Sequence, residues 1–153
     1  MVEQGAGHIV NVTSLAGLVS GAAFAAYVTT KQAVVGLSMS LRTEGEALGV
    51  KVSAVCPGFV STSAFDTAVL VNADHKGFVD RMPTGLAMEA PRAARVILRG
   101  VANNRAIIPF PFYVRLLWWL YRLHPALLVP FSRWMARMLR AVRYSPTHKS
   151  DRL

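Results

Sequence analysis

The chain has 153 residues, 53% of them hydrophobic and only 16% charged. That excludes a disordered chain and leaves enough apolar mass for the core of about one domain. Cys56 is the single cysteine, so no intrachain disulfide is available and a reducing compartment fits. The net charge of +9 is uneven: residues 1–91 hold five Lys/Arg against seven Asp/Glu, and residues 92–153 hold twelve against one. Basicity is therefore a property of the C-terminal part.

"MVEQGAGHIV" has an early acid, no basic opening and no long apolar run, so it does not read as a signal peptide. The most apolar stretch, residues 106–134, is interrupted by Arg115, Arg122 and Arg133 and by four prolines. It falls short of the roughly 18–20 uninterrupted apolar residues of a spanning helix. The expected location is the cytoplasm, with the periphery of a membrane as an option carried by the tail.

In chain order, His8 to Thr13 reads as a buried strand running into a hydroxyl-rich loop, "TSLAG". A long helix follows from about Ala25 to Leu48, with Val34, Leu37, Leu41 and Leu48 on one apolar side and Gly49 as a left-handed stop. Val50 to Pro57 is a second buried strand. Residues 58 to about 90 read as irregular. "PRAARVILRGVANN" predicts a helix with Pro91 in its first turn and Ala94, Ile97, Leu98 and Val101 spaced for burial. "RAIIPFP" predicts a third strand. Residues 112 to about 144 predict Arg-rich, aromatic helix with a break between Leu123 and Pro130, before a frayed end, "SPTHKSDRL". Strands alternating with helices predict an α/β fold with a parallel sheet, whose ligands sit at the carboxyl ends of the strands. The loops after Thr13 and Cys56 both lie at such ends.

Tyr27 and Lys31 are four residues apart, so they share a helix face. A free phenol is a poor acid or base near neutrality. A neighbouring ammonium favours phenolate and makes the phenol a usable proton donor and acceptor. The spacing alone is weak evidence, since chance supplies roughly 0.1 such pairs in a chain of this composition. Its context is more specific. Ser14 ends the first strand thirteen residues before Tyr27, and "PGFVST" ends the second.

Taken together, Ser14, Tyr27-x-x-x-Lys31 and Pro57-Gly58-x-Val60-x-Thr62 resemble the short-chain dehydrogenase/reductase family. The resemblance is close over residues 5–65 and looser through 91–108. It implies a partial Rossmann-like, doubly wound parallel sheet comprising the last three strands and their helices. Residues 1–111 would form the C-terminal half of the family's domain, and residues 112–153 a basic, aromatic helical extension. It implies Tyr27 as general acid and base, Lys31 as its partner and ribose ligand, and Ser14 as the hydrogen-bond donor to the substrate oxygen. Pro57, Gly58, Val60 and Thr62, with Tyr27 and Lys31, would hold the nicotinamide side of NAD or NADP. Residues 59–90 would cover the substrate. There Phe65, Val69, Leu70 and Val71 point to a small apolar carbonyl or alcohol, or equally to a lid packed on its own core. A homo-oligomer through the helix of Tyr27 and Lys31 is also implied.

Other polar residues read more plainly. Asn11 is a strand residue, Thr13 makes a local loop bond, and Cys56 is a small buried apolar residue. His8, His75, His124 and His148 lack ligand-like spacing and imply no metal. The family's glycine-rich turn, its NAD-or-NADP selecting residue and its Asn-Asn-Ala-Gly segment do not occur in this sequence. The expectation is a truncated family member whose first strand exposes an apolar edge and which binds dinucleotide weakly or not at all.

The tail carries all three Trp, and Arg133, Arg137 and Arg140 share a helix face. Three readings are open: an interfacial membrane helix pair, a subunit contact or cover over the substrate pocket, and, least favoured, a nucleic-acid surface. Two functions follow for the chain: an NAD(P)-dependent oxidoreductase, or a non-catalytic basic module that binds membranes or partners.

Overall fold

The computed structural model describes residues 1–22, 24–64, 74–81 and 83–140. Phe65, Val69, Leu70, Val71 and the predicted frayed end from Ser145 lie outside the described residues. Strand β1 (Gly7–Val12) runs into a short 3-10 helix (Leu15–Gly17), followed by helix α1 (Ala25–Glu46) and strand β2 (Val50–Pro57). Next come β3 (Val60–Ser61), α2 (His75–Asp80), β4 (Met88–Glu89), α3 (Ala90–Ala102) and β5 (Ile107–Phe110). Helix α4 (Phe112–Leu123), a 3-10 turn (Pro125–Leu128) and α5 (Val129–Arg140) complete the described chain. The major elements fall within about two residues of their predicted bounds, the usual uncertainty of helix ends. Gly49, at φ +70, follows α1 as the predicted left-handed stop.

The sheet is parallel, in the order β1-β2-β5. Gly7 to Val12 pair with Val50 to Val55, and Ala54 to Pro57 pair with Ile107 to Phe110. The chain is thus an α/β protein with a parallel sheet, as predicted. Because side chains alternate along a strand, central β2 serves two cores. Ala54 and Cys56 join Leu18, Val19, Val114 and Leu128 in one cluster. Val55 joins Ala93, Ile108 and Phe110 in the other. Helices α1 and α4 contribute Val35, Met39, Leu117 and Trp118 to the first cluster, and α3 contributes Val96, Ile97 and Val101 to the second.

Two expectations need correction. The buried side of α1 is not the Val34–Leu37–Leu41–Leu48 stripe: Leu37 and Leu48 are exposed, 54% and 46%. The inward face carries Val35, Ser38, Met39, Arg42 and Gly45, with Ser38 fully buried. Small residues let α1 approach the sheet closely, and polar ones are satisfied there. Asn11 Nδ2 donates to Ser38 Oγ (3.0 Å), which donates to Val34 O (2.6 Å). Arg42 Nη1 donates to Val52 O (2.6 Å), and its guanidinium also bonds Asn104. The described parts of residues 58–90 are also less irregular than predicted. They hold α2 and the two-residue strands β3 and β4, which pair Val60 with Met88 and Ser61 with Glu89.

Helix α4 is packed rather than free. Val114 is completely buried, and Leu128 is buried beyond it. Farther on, Leu139 of α5 is buried with Phe78 of α2, and Phe24, Met135 and Met138 pack around them. Phe24 immediately precedes α1, so α5 sits against both the entrance to that helix and the segment following β3.

Candidate active site

Parallel pairing of β1 and β2 puts the loops that follow them at the same end of the sheet. Thr13 fastens the two together. Its N–H donates to Val55 O (2.8 Å), its hydroxyl donates to the same carbonyl (3.0 Å), and the hydroxyl also meets Cys56 Sγ at 3.1 Å. The expected local bond is minor, a 3.4 Å contact to Ser14 O. Thr13 instead bridges two strands distant in sequence, and it is buried. The register of a parallel pair was the signal that could have revealed it. Cys56 is fully buried, as predicted, and burial pushes its thiol upward, so the group is un-ionised and inert.

Next to that junction, Ser14 caps the 3-10 helix: its Oγ accepts from Ala16 N–H at 3.2 Å, leaving the hydroxyl proton free to donate. Gly17 brings the same loop against α1. A Cβ there would lie 2.9 Å from Lys31 O and 2.8 Å from Val35 Cγ2. The turn of α1 that carries Lys31 is thereby held against the Ser14 loop. Tyr27, in the first turn, is 47% exposed, and Lys31 Nζ lies 5.6 Å from its ring centroid, within cation–π range. Among the described residues neither the Tyr27 hydroxyl nor Lys31 Nζ makes a hydrogen bond, so both polar ends are available to a ligand.

Pro57 ends β2 opposite Phe110. Gly58 N–H donates to Phe110 O (2.7 Å), and Phe59 O accepts from Met88 N–H (2.9 Å), which leads Val60 into the β3–β4 pair. Thr62 lies farther along, its Oγ1 accepting a long bond from Ala64 N–H (3.4 Å). The structure thus gathers Ser14, Pro57 and Gly58 at the strand ends and joins Tyr27 with Lys31. Thr62 makes only this local contact among the described residues.

A further residue shapes this turn and escaped the sequence reading. The Tyr113 hydroxyl of α4 accepts from Phe59 N–H at 2.7 Å. A Cβ on Gly58 would come 2.6 Å from Tyr113 Cζ and 2.8 Å from Val114 Cγ2. Only glycine allows that approach. Burial raises the Tyr113 phenol above its ordinary range, against the opposing influence of the Phe59 N–H, so it stays protonated. Nothing in "PFPFYV" marks Tyr113 as part of a turn fifty residues upstream.

The Tyr27 phenol is exposed with Lys31 Nζ over its ring, the Ser14 hydroxyl can donate, and the Pro57–Gly58 turn follows the end of β2. These are residue types that could hold one side of a nicotinamide dinucleotide. Among the described residues no group of three His, Cys, Asp or Glu is arranged to hold a metal ion.

Comparison with known proteins is consistent in kind. A short chain dehydrogenase family profile matches residues 1–70. The dehydrogenase/reductase SDR family member 7B of Danio rerio is 31% identical over 125 residues, covering 77% of this chain and 40% of that protein. The 3-oxoacyl-(acyl-carrier-protein) reductase FabG of Haemophilus influenzae is 33% identical over 97 residues, covering 63% and 39%. Among solved structures, a short-chain dehydrogenase from Sphingobium yanoikuyae in complex with NADPH superposes with a TM-score of 0.63 at 24% identity, covering 99% of this chain and 51% of that one. At that identity the likeness shows the fold. The chain spans about 40% of the length of these curated relatives.

Proposed function

Since the chain belongs to the short-chain dehydrogenase family, we propose that it carries the proton-transfer half of an NAD(P)-dependent oxidoreductase that interconverts a carbonyl and an alcohol. The observation that carries this reading is the exposed Tyr27–Lys31 pair, held beside the Ser14 loop at the carboxyl end of the sheet. Tyr27 gives its phenolic proton to the carbonyl oxygen during reduction and takes it back during oxidation. Lys31 offsets the negative charge left on the phenolate. The Ser14 hydroxyl donates to the same substrate oxygen, where charge develops. Lys31 Nζ also reaches ribose hydroxyls, and the Pro57–Gly58–Val60 backbone with Thr62 forms the shelf for the nicotinamide. A nicotinamide dinucleotide, NAD or NADP, supplies or accepts the hydride when bound. The pyrophosphate side of that group has no glycine-rich turn to receive it within this sequence.

Phe65, Val69, Leu70 and Val71 in the sequence of the covering segment support a small apolar substrate. The outward Leu37 and Leu48 of α1 support pairing of two copies through that helix.

The test uses the longest natural protein containing this chain and NADPH- or NADH-dependent reduction of apolar ketones. Tyr27→Phe lowers kcat by about 10²–10⁴-fold and leaves dinucleotide binding, read by fluorescence titration, unchanged. Turnover near the wild-type rate in that variant removes Tyr27 from its role.

A further inference from the structure

The α4–α5 segment has a second apolar side. Phe112, Leu116, Trp119 and Leu123 follow helical spacing on α4, and all are exposed, Phe112 to 75%, Trp119 to 61% and Leu123 to 65%. Leu127, Val129, Phe131 and Trp134 of the following turn and α5 are exposed too, with the last two rings stacked at 5.9 Å between centroids. Exposed patches of this kind on a folded chain mark contact with another phase or partner.

The charge around these residues identifies the partner. Residues 112–140 contain five arginines and no acid. Arg133, Arg137 and Arg140 line the exposed side of α5, adjacent to Trp134. Arg122 lies over the Trp118 ring at 5.3 Å. Among the described residues, the guanidinium groups of Arg122, Arg133, Arg137 and Arg140 make no hydrogen bond or ion pair. A shallow cavity of about 360 Å³ is lined by Trp118, Trp119, Arg122 and Leu123.

We propose that the outward face of α4 and α5 docks on the surface of an anionic phospholipid bilayer. Trp119, Leu123, Phe131 and Trp134 enter the boundary between headgroups and acyl chains, while Arg122, Arg133, Arg137 and Arg140 bond lipid phosphates. Neither helix can span a bilayer: each has twelve residues, and no described helix is long and apolar enough to cross. The mode is adsorption with the helices lying in the interface. A second copy on this face would set arginines against arginines. A nucleic acid would neutralise the arginines but leave Phe112, Leu116 and Leu123 without an apolar partner. An anionic bilayer satisfies both halves of the face, and docking requires neither catalysis nor bound dinucleotide.

Flotation of the 153-residue chain with vesicles tests this. Vesicles of phosphatidylcholine containing about one-third phosphatidylglycerol carry the chain upward, and phosphatidylcholine alone does not. The triple variant Arg122→Gln, Arg133→Gln, Arg137→Gln weakens binding on the order of a hundredfold, at roughly fivefold per cation. Trp119→Ser with Trp134→Ser weakens it by about tenfold or more through lost apolar contact. Leu98→Ser, on the exposed side of α3, leaves it unchanged. All these positions are exposed, so circular dichroism and melting stay at wild-type values. Failure to float with anionic vesicles overturns the proposal. So does equal binding by either variant set, or a dimer that dissociates when the two tryptophans are replaced.

Discussion

Thr13 shows how one hydroxyl can place the Ser14 loop. It lies where β1 ends, buried, with both its N–H and its hydroxyl on Val55 O. Replacement by valine keeps the shape and the backbone bond and removes only the hydroxyl. The expected loss is about 1 kcal/mol, the usual net value of one buried hydrogen bond, measured by urea denaturation. An unchanged midpoint would mean that the backbone bond alone holds the Ser14 loop to β2. At this scale the candidate residues Tyr27, Lys31, Ser14 and Pro57-Gly58 could be picked out in sequence, because they lie at fixed spacings along the chain. Thr13 and Tyr113 could not, because their partners are set by strand register and by packing of a remote helix.

Among elements, the strands were readable from valine-rich runs; α3 was readable as a helix, but its apolar spacing is only partly right, since Ile97 and Val101 pack inward while Ala94 and Leu98 are exposed, Leu98 to 67%. Helix α1 misleads because its tightest contacts use Ser38 and Gly45 while larger leucines face outward. Strands β3 and β4, two residues each, are too short for any periodic signal. In α4 both sides are apolar, so periodicity does not distinguish the packed Val114–Leu117–Tyr121 side from the exposed Phe112–Leu116–Trp119 side. The packed side predicts a stability role for the extension. Val114→Ala leaves a cavity beneath Leu18 and Cys56 and costs roughly 1.5–3 kcal/mol. A loss below a few tenths, by thermal or urea melting of the same chain, would show that α4 rests on this core without supporting it.

The whole chain has an acid limit built into its edge strand. His8 Nε2 bonds Ser53 Oγ at 2.8 Å, and Ser53 in turn donates to Arg105 O at 2.6 Å, so the imidazole is the donor in the first bond. Desolvation, then Lys51 and Arg42, hold the His8 pKa below its ordinary 6.5. The folded state therefore disfavours imidazolium, and between the lowered value and 6.5 the unfolded chain binds the extra proton. His8's contribution is intact above 6.5 and is lost as pH falls through its folded pKa. Melting temperature should fall over that acid interval more steeply for the wild-type chain than for His8→Gln, which has no proton to gain. Parallel pH profiles for the two would assign the acid sensitivity to other groups.

Gly58 and Tyr113 also constrain the order in which this protein can be altered. A methyl group at position 58 displaces the phenol and with it the acceptor of Phe59 N–H. A smaller residue at 113 first removes much of the obstruction and leaves Val114 Cγ2 as the remaining close neighbour. Exchange of the C-terminal extension between relatives is therefore not a modular operation. A graft that lacks the tyrosine deprives the turn of its anchor, and one that retains it fixes glycine at 58, so the strand-end turn and the extension must be inherited or engineered together.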